Sequence, residues 1–458
     1  MEKIPEKLNT ETLREKDYNY IWHPFTQMMS WFEEDAPIIE SGKGVYLIDS
    51  DGNKYIDGIS SLWVNVHGHK RKEIDSAVIN QLNKIAHSTF LGLSNIPAIE
   101  LAEKLVEIAP HGLTKVFYSD NGSTAVEIAL KMAFQYYRQN KPFSKKNKFL
   151  HFTSSYHGDT IGSVSVGGLD LFHNLYKPLL FESVSAPYPY CYRCAFRKKK
   201  ETCKLFCLNE VEKVIEKHST ELAAVIIEPL IQGAAGMITM PRGYLSQIRK
   251  LCDRYRLLLI CDEVATGFGR TGEMFASQHE DVSPDFLCIA KGLTGGYIPV
   301  AATLTTTTIF EGFLGQNDSN RTFFHGHTYT ANPLGCAAAL ANLELFKTEK
   351  TLQRLQPKIK LLTKELEKFN ELEHVGDIRQ CGFMCGIELV QDKKTKKQFK
   401  PALRTGLRVI VEARRRGVIL RPLGDTIVIM PPLIITAKEL SNLLKVTFES
   451  IRTVTEQA

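Results

Sequence analysis

The 458-residue chain lacks several features that would assign it to common protein classes. Residues 1–20 are rich in glutamate, lysine and asparagine and contain no apolar core of the kind that a secretory signal peptide needs. No apolar run approaches the length that spans a bilayer. The basic runs 197–200 and 414–416 are not interleaved with aromatic residues, as a nucleic-acid groove would be. We therefore expect a cytoplasmic protein with no membrane and no nucleic-acid partner.

Internal repeats and low-complexity linkers are also absent. The length exceeds that of most single domains, so we expect two compact units. From about residue 115 to residue 305, apolar strands alternate with amphipathic helices, which indicates a mainly parallel sheet covered on both faces. Long helices followed by short strands after residue 332 are typical of a smaller α+β domain. The expected division is an N-terminal segment 1–65 that packs with the small domain, a large domain 66–330 and a small domain 331–458.

Ten cysteines are scattered along the chain, many of them in apolar strands, which fits reduced thiols better than a disulfide framework. Four of them follow a C-x2-C, x8, C-x3-C pattern, a spacing that is typical of structural zinc ligands. The alternative, which we favour, is an insertion loop with free cysteines, because the basic run within it would stabilise thiolates without a metal. We therefore expect no metal. The four residues are Cys191, Cys194, Cys203 and Cys207.

Two charged residues each follow an apolar strand. The run 257–261 leads directly into Asp262, and the run 286–290 leads directly into Lys291. In an open α/β sheet, ligands bind at the carboxyl ends of the strands. A buried lysine at that edge serves Schiff-base chemistry, phosphate contact or a salt bridge. Taken alone, the pair leaves a catalytic site and a plain buried ion pair equally open.

The sequence around this pair favours the catalytic interpretation. The runs 262–272 (DEVATGFGRTG) and 290–299 (AKGLTGGYIP) resemble the signature of class III aminotransferases, and the resemblance extends from Trp22 to Pro432. Those enzymes have fold type I and use pyridoxal 5′-phosphate. The resemblance therefore implies an α/β fold of this type, an aminotransferase activity with that cofactor, and a homodimer with shared active sites.

Residues at the start of a predicted helix match the phosphate-binding positions of that family. Gly122 and Ser123 follow a strand and open a helix, where backbone N–H groups and a hydroxyl can bind a phosphate. On position alone, a plain helix N-cap would be the commoner explanation. The resemblance implies that both residues bind the coenzyme phosphate, and that Thr328 reaches the same phosphate from the neighbouring subunit.

Three further residues match positions around the coenzyme ring. Tyr156 matches the aromatic residue that stacks on the pyridine, although a tyrosine after a strand is often only packed in the core. Asp262 would hydrogen-bond the pyridine nitrogen and keep it protonated. Lys291 would bind the coenzyme covalently and then, as a free amine, move the substrate proton. The resemblance thus assigns catalytic roles to Tyr156, Asp262 and Lys291.

Substrate selectivity depends on a narrower resemblance. The segments 22–28, 57–63, 376–379 and 421–425 resemble the subfamily that aminates 8-amino-7-oxononanoate to 7,8-diaminononanoate in biotin biosynthesis. The resemblance implies that Arg421 pairs with a substrate carboxylate. A broader ω-aminotransferase that acts on diamines or β-amino acids is the alternative. The other substrate-binding positions that the resemblance implies are Phe25, Trp63, Gly326 and His327.

Two absences concern the amino donor. Gln232 and Gly233 are followed by Ala234, whereas glutamate-fed enzymes of the family have a glutamate there that masks the substrate arginine. Where S-adenosylmethionine is the donor, the family usually has two adjacent tryptophans after Ser-Ser, but this chain has Leu62 and Trp63. The pattern resembles the Bacillus-type enzyme that uses lysine. We therefore expect lysine to be favoured over S-adenosylmethionine.

Two other patterns suggest competing functions. The glycine-rich run 267–272 lacks the Gly-Lys-Ser/Thr of a P-loop and does not follow the first strand of a βαβ unit. The His-Gly-His runs 67–69 and 325–327 lie on glycine turns, where histidines more often cap the backbone or line a substrate site than bind metal. We expect neither a nucleotide nor a metal.

Overall fold

The structure is a computed structural model that describes residues 9–141 and 143–456. Its strands are β1 (Ile39–Lys43), β2 (Tyr46–Asp49), β3 (Lys54–Asp57), β4 (Leu113–Ser119), β5 (Lys148–Phe152), β6 (Val184–Ala186), β7 (Leu222–Ile227), β8 (Ile231–Gln232), β9 (Ile238–Thr239), β10 (Leu258–Asp262), β11 (Phe286–Ile289), β12 (Ala301–Thr306), β13 (Val375–Cys381), β14 (Met384–Leu389), β15 (Val418–Ile419), β16 (Arg421–Leu423) and β17 (Thr426–Ile429). Its α-helices are α1 (Thr10–Tyr20), α2 (Met28–Trp31), α3 (Ser60–Trp63), α4 (Lys72–Leu82), α5 (Ile96–Ile108), α6 (Gly122–Asn140), α7 (Ile161–Ser165), α8 (Asp170–His173), α9 (Phe206–His218), α10 (Tyr244–Tyr255), α11 (Thr307–Glu311), α12 (Pro333–Thr348), α13 (Thr351–Glu367), α14 (Thr405–Arg415) and α15 (Ala437–Glu456).

A seven-stranded sheet in the order β4-β12-β11-β10-β7-β5-β6 forms the centre of the molecule. The strands from β11 to β6 are parallel, whereas β12 is antiparallel to both of its neighbours. Strand β7 reads Leu-Ala-Ala-Val-Ile-Ile and is buried along its whole length, as expected where helices cover both faces of a sheet. The predicted fold class, a mainly parallel α/β sheet, is confirmed.

Helix α6 covers one face of this sheet and begins at the edge where the strands end. Its apolar side chains recur at helical spacing, from Ala125 through Ala129 to Ala133, and are fully buried. The side chain of Asn121 accepts a hydrogen bond from the N–H of Thr124, which fixes the first turn of the helix. The backbone N–H groups of that turn are therefore held beside the carboxyl ends of the strands.

The C-terminal part of the chain forms a second, antiparallel sheet in the order β13-β14-β17-β16. The N-terminal hairpin is linked to this part, because β15 pairs in parallel with β3. This pairing agrees with the expected packing of the N-terminal segment, while the domain boundaries themselves stay predictions. Among the described residues, no helix is both long and apolar enough to cross a bilayer. The cytoplasmic location also stays a prediction.

Candidate active site

A cavity of about 540 Å³ lies where the strands of the central sheet end. Residues that follow five of these strands line it, because the carboxyl ends of β4, β5, β7, β10 and β11 meet at one edge. The predicted catalytic pair is brought together here, with Asp262 at the end of β10 and Lys291 just after β11. Of the other predicted site residues, Trp63, Gly122, Ser123 and Tyr156 also line the cavity.

Lys291 opens a short 3-10 helix, Lys291–Thr294, and keeps part of its surface accessible. Burial lowers the pKa of its amine below the usual 10.5, while the carboxylates of Asp262 and Glu228 oppose that shift. Its Nζ lies 4.9 Å from the centroid of the Trp63 ring. A lysine whose ammonium form is disfavoured can supply the neutral amine that acts as nucleophile or base.

Asp262 is buried and held by two hydrogen bonds. Its Oδ1 accepts from the N–H of Val264 at 3.1 Å, and its Oδ2 lies 2.7 Å from Nδ1 of His157. Because an ionised carboxylate can only accept, His157 must donate from Nδ1. The sequence analysis assigned a role to Tyr156 and missed its neighbour His157. This histidine fixes the orientation of the carboxylate that faces the cavity.

Glu228 is a second buried carboxylate in the cavity wall that sequence reasoning missed. Its Oε1 accepts from the N–H of Tyr156 at 3.1 Å, and its Oε2 accepts from the N–H of Gly233 at 2.9 Å. Burial raises its pKa to about 7, with His157 opposing the shift. The sequence could have identified this residue, because Glu228 is a charged residue directly after the apolar strand β7, just as Lys291 closely follows β11.

The first turn of α6 forms one end of the cavity. A Cβ on Gly122 would lie 2.6 Å from Cγ1 of Val264, so the packing requires glycine here. The hydroxyl of Ser123 accepts a hydrogen bond from the N–H of Asp159 at 3.1 Å. Asn121 caps the helix, which leaves Gly122 and Ser123 in the wall of the cavity. A helix N-terminus of this kind is a suitable site for an anion.

Tyr156 lies beside these groups in the cavity wall. Its hydroxyl donates to Oδ2 of Asp159 at 2.7 Å, and burial raises its pKa. The ring of Phe172 lies 6.2 Å away in an edge-to-face arrangement. The hydroxyl is therefore held by a neighbour three residues away, and the ring is one of the surfaces that line the cavity.

Five predicted site residues do not line the cavity of the single chain. Phe25 is 59% exposed, and its ring lies 5.3 Å from that of Phe172, which separates it from Tyr156. Nδ1 of His327 lies 2.7 Å from Oδ2 of Asp120, a residue of the cavity wall. The roles of the five stay predictions. They are Phe25, Gly326, His327, Thr328 and Arg421.

Arg421, in β16, is partly buried near this site. Its Nε is buried and has no hydrogen-bond partner among the described residues. Burial lowers the pKa of its guanidinium, and Tyr156 opposes that shift. An arginine that keeps an unused donor beside the cavity is able to bind an anionic group of a ligand.

A family model, aminotransferase class III, matches residues 32–451 of the chain. The chain belongs to the class III aminotransferases. Its relatives include the adenosylmethionine-8-amino-7-oxononanoate aminotransferases of Nitratidesulfovibrio vulgaris, 56% identical over 98% of this chain and 83% of the relative, and of Geobacter sulfurreducens, 54% identical over 98% and 99%.

Solved structures of the same family share the whole fold. The adenosylmethionine-8-amino-7-oxononanoate aminotransferase of Methanocaldococcus jannaschii is 49% identical, with a TM-score of 0.93 over 97% of this chain and 100% of that one. An (S)-enantioselective ω-transaminase of Thermomicrobium roseum is 34% identical, with a TM-score of 0.93 over 98% and 100%. The predicted family and the aminotransferase activity are confirmed.

Class III aminotransferases depend on pyridoxal phosphate, and the residues of this cavity fit that coenzyme. The first turn of α6 offers N–H groups for the phosphate, and Lys291 offers an amine for the reactive carbon. Asp262, oriented by His157, offers a carboxylate for the ring nitrogen. The predicted cofactor is confirmed by the family, while the individual roles stay predictions.

The four clustered cysteines lie away from this site. All four line one small cavity of about 20 Å³, so the fold brings the two pairs together. Among the described residues, however, no group of three or more histidine, cysteine or acidic side chains is arranged to hold a metal ion. Burial raises the pKa of Cys207 to about 11 and also raises that of Cys191, where Lys200 opposes the shift. In the absence of a metal, burial therefore disfavours the thiolate form of these two residues, contrary to the expected stabilisation of thiolates by the basic run.

We expect the purified protein to contain no zinc under reducing conditions, because no metal-holding group of side chains is found among the residues that the structure describes. Metal analysis by mass spectrometry checks this, and thermal unfolding with and without a chelator should give the same midpoint. Cys203→Ser should leave that midpoint nearly unchanged. About one zinc per chain, lost together with stability on chelation, would show that the four cysteines are ligands.

Proposed function

We propose that this aminotransferase converts 8-amino-7-oxononanoate to 7,8-diaminononanoate in biotin biosynthesis. The observation that carries the proposal is the similarity to relatives that have 8-amino-7-oxononanoate in their names. They are 46–56% identical over nearly the whole chain. The absence of a glutamate after Gly233 further supports an enzyme that does not alternate between glutamate and a second substrate.

Bound pyridoxal phosphate supplies an electron sink for the carbanion that forms when the donor carbon loses its proton. Asp262 holds the proton on the ring nitrogen, since an opposite charge at contact distance raises the pKa of a base. Lys291 Nζ takes the proton from the donor carbon and delivers it within the site. Tyr156 would form a wall against the ring, and the first turn of α6 would hold the phosphate.

We propose a homodimer in which each subunit completes the site of the other. Thr328 is exposed and is absent from the cavity wall of its own chain, which suits a residue that acts in the neighbouring subunit. Large apolar side chains lie exposed near it, with Phe324 83% and Tyr329 62% exposed. Apolar groups exposed in this way are typical of surfaces that a second subunit covers.

Arg421→Lys should raise the KM for 8-amino-7-oxononanoate about 10- to 100-fold and change kcat much less. A lysine keeps the charge but cannot form the bidentate contact of arginine with a carboxylate. The loss of that contact costs roughly 1.5–3 kcal/mol of binding free energy. Steady-state kinetics with the keto substrate varied checks this. Arg404→Lys, at an exposed arginine that pairs with Glu34, is the matched control. An unchanged KM for Arg421→Lys would remove this arginine from the substrate site.

Lysine is the proposed amino donor, and adenosylmethionine, which the relatives have in their names, is the competing donor. Trp63 supplies one aromatic wall, but Leu62 provides no second flat surface; it is 45% exposed and is absent from the cavity wall. The lost stacking and cation–π attraction for a sulfonium is roughly 0.5–2 kcal/mol.

The purified enzyme should therefore form diaminononanoate faster with lysine than with S-adenosylmethionine, by up to about thirtyfold. Product formation measured by mass spectrometry with each donor checks this. Leu62→Trp should shift the preference toward S-adenosylmethionine. Robust turnover with S-adenosylmethionine and none with lysine would refute the donor assignment and leave the aminotransferase activity intact.

A broader ω-aminotransferase activity on diamines or β-amino acids is the second candidate. It is favoured by the likeness to solved ω-transaminases, which share the fold at 33–34% identity. Amines of these classes, tested with pyruvate as acceptor, distinguish the two. Turnover with simple diamines and none with 8-amino-7-oxononanoate would favour the broader enzyme.

A further inference from the structure

The short helix α3 (Ser60–Trp63) is a left-handed turn, and its last residue lies in the wall of the active-site cavity. Four consecutive residues that are not glycine have positive φ, namely Ser60 (51°), Ser61 (46°), Leu62 (67°) and Trp63 (71°). The N–H of Trp63 donates to the carbonyl of Ile59 at 2.8 Å and closes the turn. A positive φ is strained for residues other than glycine, so surrounding contacts must hold the turn in place.

Asp57 holds one side of the turn. It is fully buried, its Oδ1 accepts from the N–H of Ser61 at 2.9 Å, and its Oδ2 accepts from the hydroxyl of Ser61 at 2.8 Å. His69 approaches the same carboxylate, with Nε2 2.9 Å from Oδ2. These contacts fix the backbone and the side chain of one residue in the strained segment.

Arg270 holds the other side of the turn. It is 1% exposed, and Nη1 donates to the hydroxyl of Ser60 at 3.2 Å and to the carbonyl of Pro431 at 2.9 Å. Nη2 donates to the carbonyl of Asn65, just beyond the turn, at 2.8 Å. Burial lowers the pKa of the guanidinium to about 9, and Asp57 opposes the shift. A buried cation is costly to retain, yet each of these donors contacts the turn or a segment packed against it.

Trp63 is the residue that the turn presents to the cavity. Its indole is 6% exposed and lies 4.9 Å from Nζ of Lys291. On its other side, a Cβ on Gly233 would lie 3.1 Å from Cζ3 of the ring. The indole therefore fits closely between the catalytic lysine and the backbone of residue 233, and a small change in the turn would move it.

We propose that Arg270 is a positioning residue for the amine-binding wall, which acts by holding the left-handed turn 60–63 and thereby setting Trp63 beside Lys291. The inference rests on the proposed role of Trp63 in the substrate site, and it applies to any amine that the enzyme uses. Arg270 thus contributes to amine binding although it does not itself line the cavity.

The three tryptophans of the chain provide a direct reporter. Trp22→Phe and Trp31→Phe together leave Trp63 as the sole indole in the holoenzyme. In this background, Arg270→Lys should make the emission of Trp63 more accessible to acrylamide. It should also raise the KM for the amine donor about tenfold, equivalent to roughly 1.4 kcal/mol, with kcat within about twofold and coenzyme content unchanged. Arg249→Lys, which alters an arginine paired with Asp285, should change none of these.

Ser60→Ala tests the same contact if Arg270→Lys does not fold, because it removes one acceptor of Arg270 and leaves the guanidinium in place. It should shift the quenching and the KM in the same direction but by less. Trp63→Ala separates this inference from the proposed site. If Trp63→Ala raises the KM and the folded Arg270 and Ser60 variants leave KM and quenching at wild-type values, the positioning role is wrong. If Trp63→Ala leaves the KM unchanged, the proposed substrate wall itself is wrong.

Discussion

Lys291→Ala should abolish transamination, with kcat lower by at least about 10⁴-fold, and should remove the yellow, borohydride-reducible chromophore of the holoenzyme. Lys291 is the lysine of the cavity wall, and its amine lies close to the Trp63 ring. The carboxylates of Asp262 and Glu228 oppose the lowering of its pKa by burial. Among the described residues that line the cavity, no other side chain offers an amine. The measurements are steady-state turnover and the absorbance spectrum before and after reduction.

Lys146→Ala is the matched control for this variant. Lys146 is also partly buried, its pKa is lowered by burial to about 8, and its Nζ donates to the carbonyls of Ser219 and Leu222. Its loss should decrease stability but not turnover or colour. The Lys291 variant should remain a folded dimer by circular dichroism and sedimentation. Wild-type turnover in Lys291→Ala would show that the assignment is wrong.

Asp262→Asn should keep bound coenzyme and lose most of its turnover, by roughly 10- to 1,000-fold. In the proposed role, the carboxylate would raise the pKa of the ring nitrogen and stabilise its protonated form by roughly 1.4–4 kcal/mol, which a neutral amide cannot do. The amide also replaces the acceptor that His157 contacts through Nδ1. Coenzyme content and kcat, measured on the same preparation, check this expectation.

Asp285→Asn provides the control for the carboxylate. Asp285 pairs with Arg249 at 2.8 Å at the opposite end of the sheet, just before β11, so its loss should affect stability and not the chemistry. Preserved turnover in Asp262→Asn would remove the electron-sink explanation for this residue.

The alternation of apolar strands with amphipathic helices predicted the parallel sheet, and the charged residues after two of these strands predicted the site. Asp262 and Lys291 were placed correctly, because the ends of parallel strands meet at one edge of a sheet. The same rule applied to Glu228 would have identified it after β7. The reversed direction of β12 was not predicted, since the polarity of a strand leaves no trace in its own residue pattern.

Other parts of the site could not be read from the sequence. The left-handed turn 60–63 contains no glycine, so nothing in its composition predicts positive φ. The contact between His157 and Asp262 joins residues 105 positions apart, and the contacts of Arg270 come from two distant segments, 60–65 and Pro431. Such contacts arise from tertiary packing and not from local pattern. The residues assigned to the neighbouring subunit rest on the family resemblance.

A single half-reaction tests the central claim most directly, because it does not depend on the amino donor. The enzyme carrying the aminated coenzyme is mixed with 8-amino-7-oxononanoate, and the absorbance spectrum and product mass are followed. The proposed function predicts return of the yellow aldehyde form and about one equivalent of 7,8-diaminononanoate per active site. No spectral change and no diaminononanoate, under conditions where another keto compound discharges the same enzyme, would contradict it.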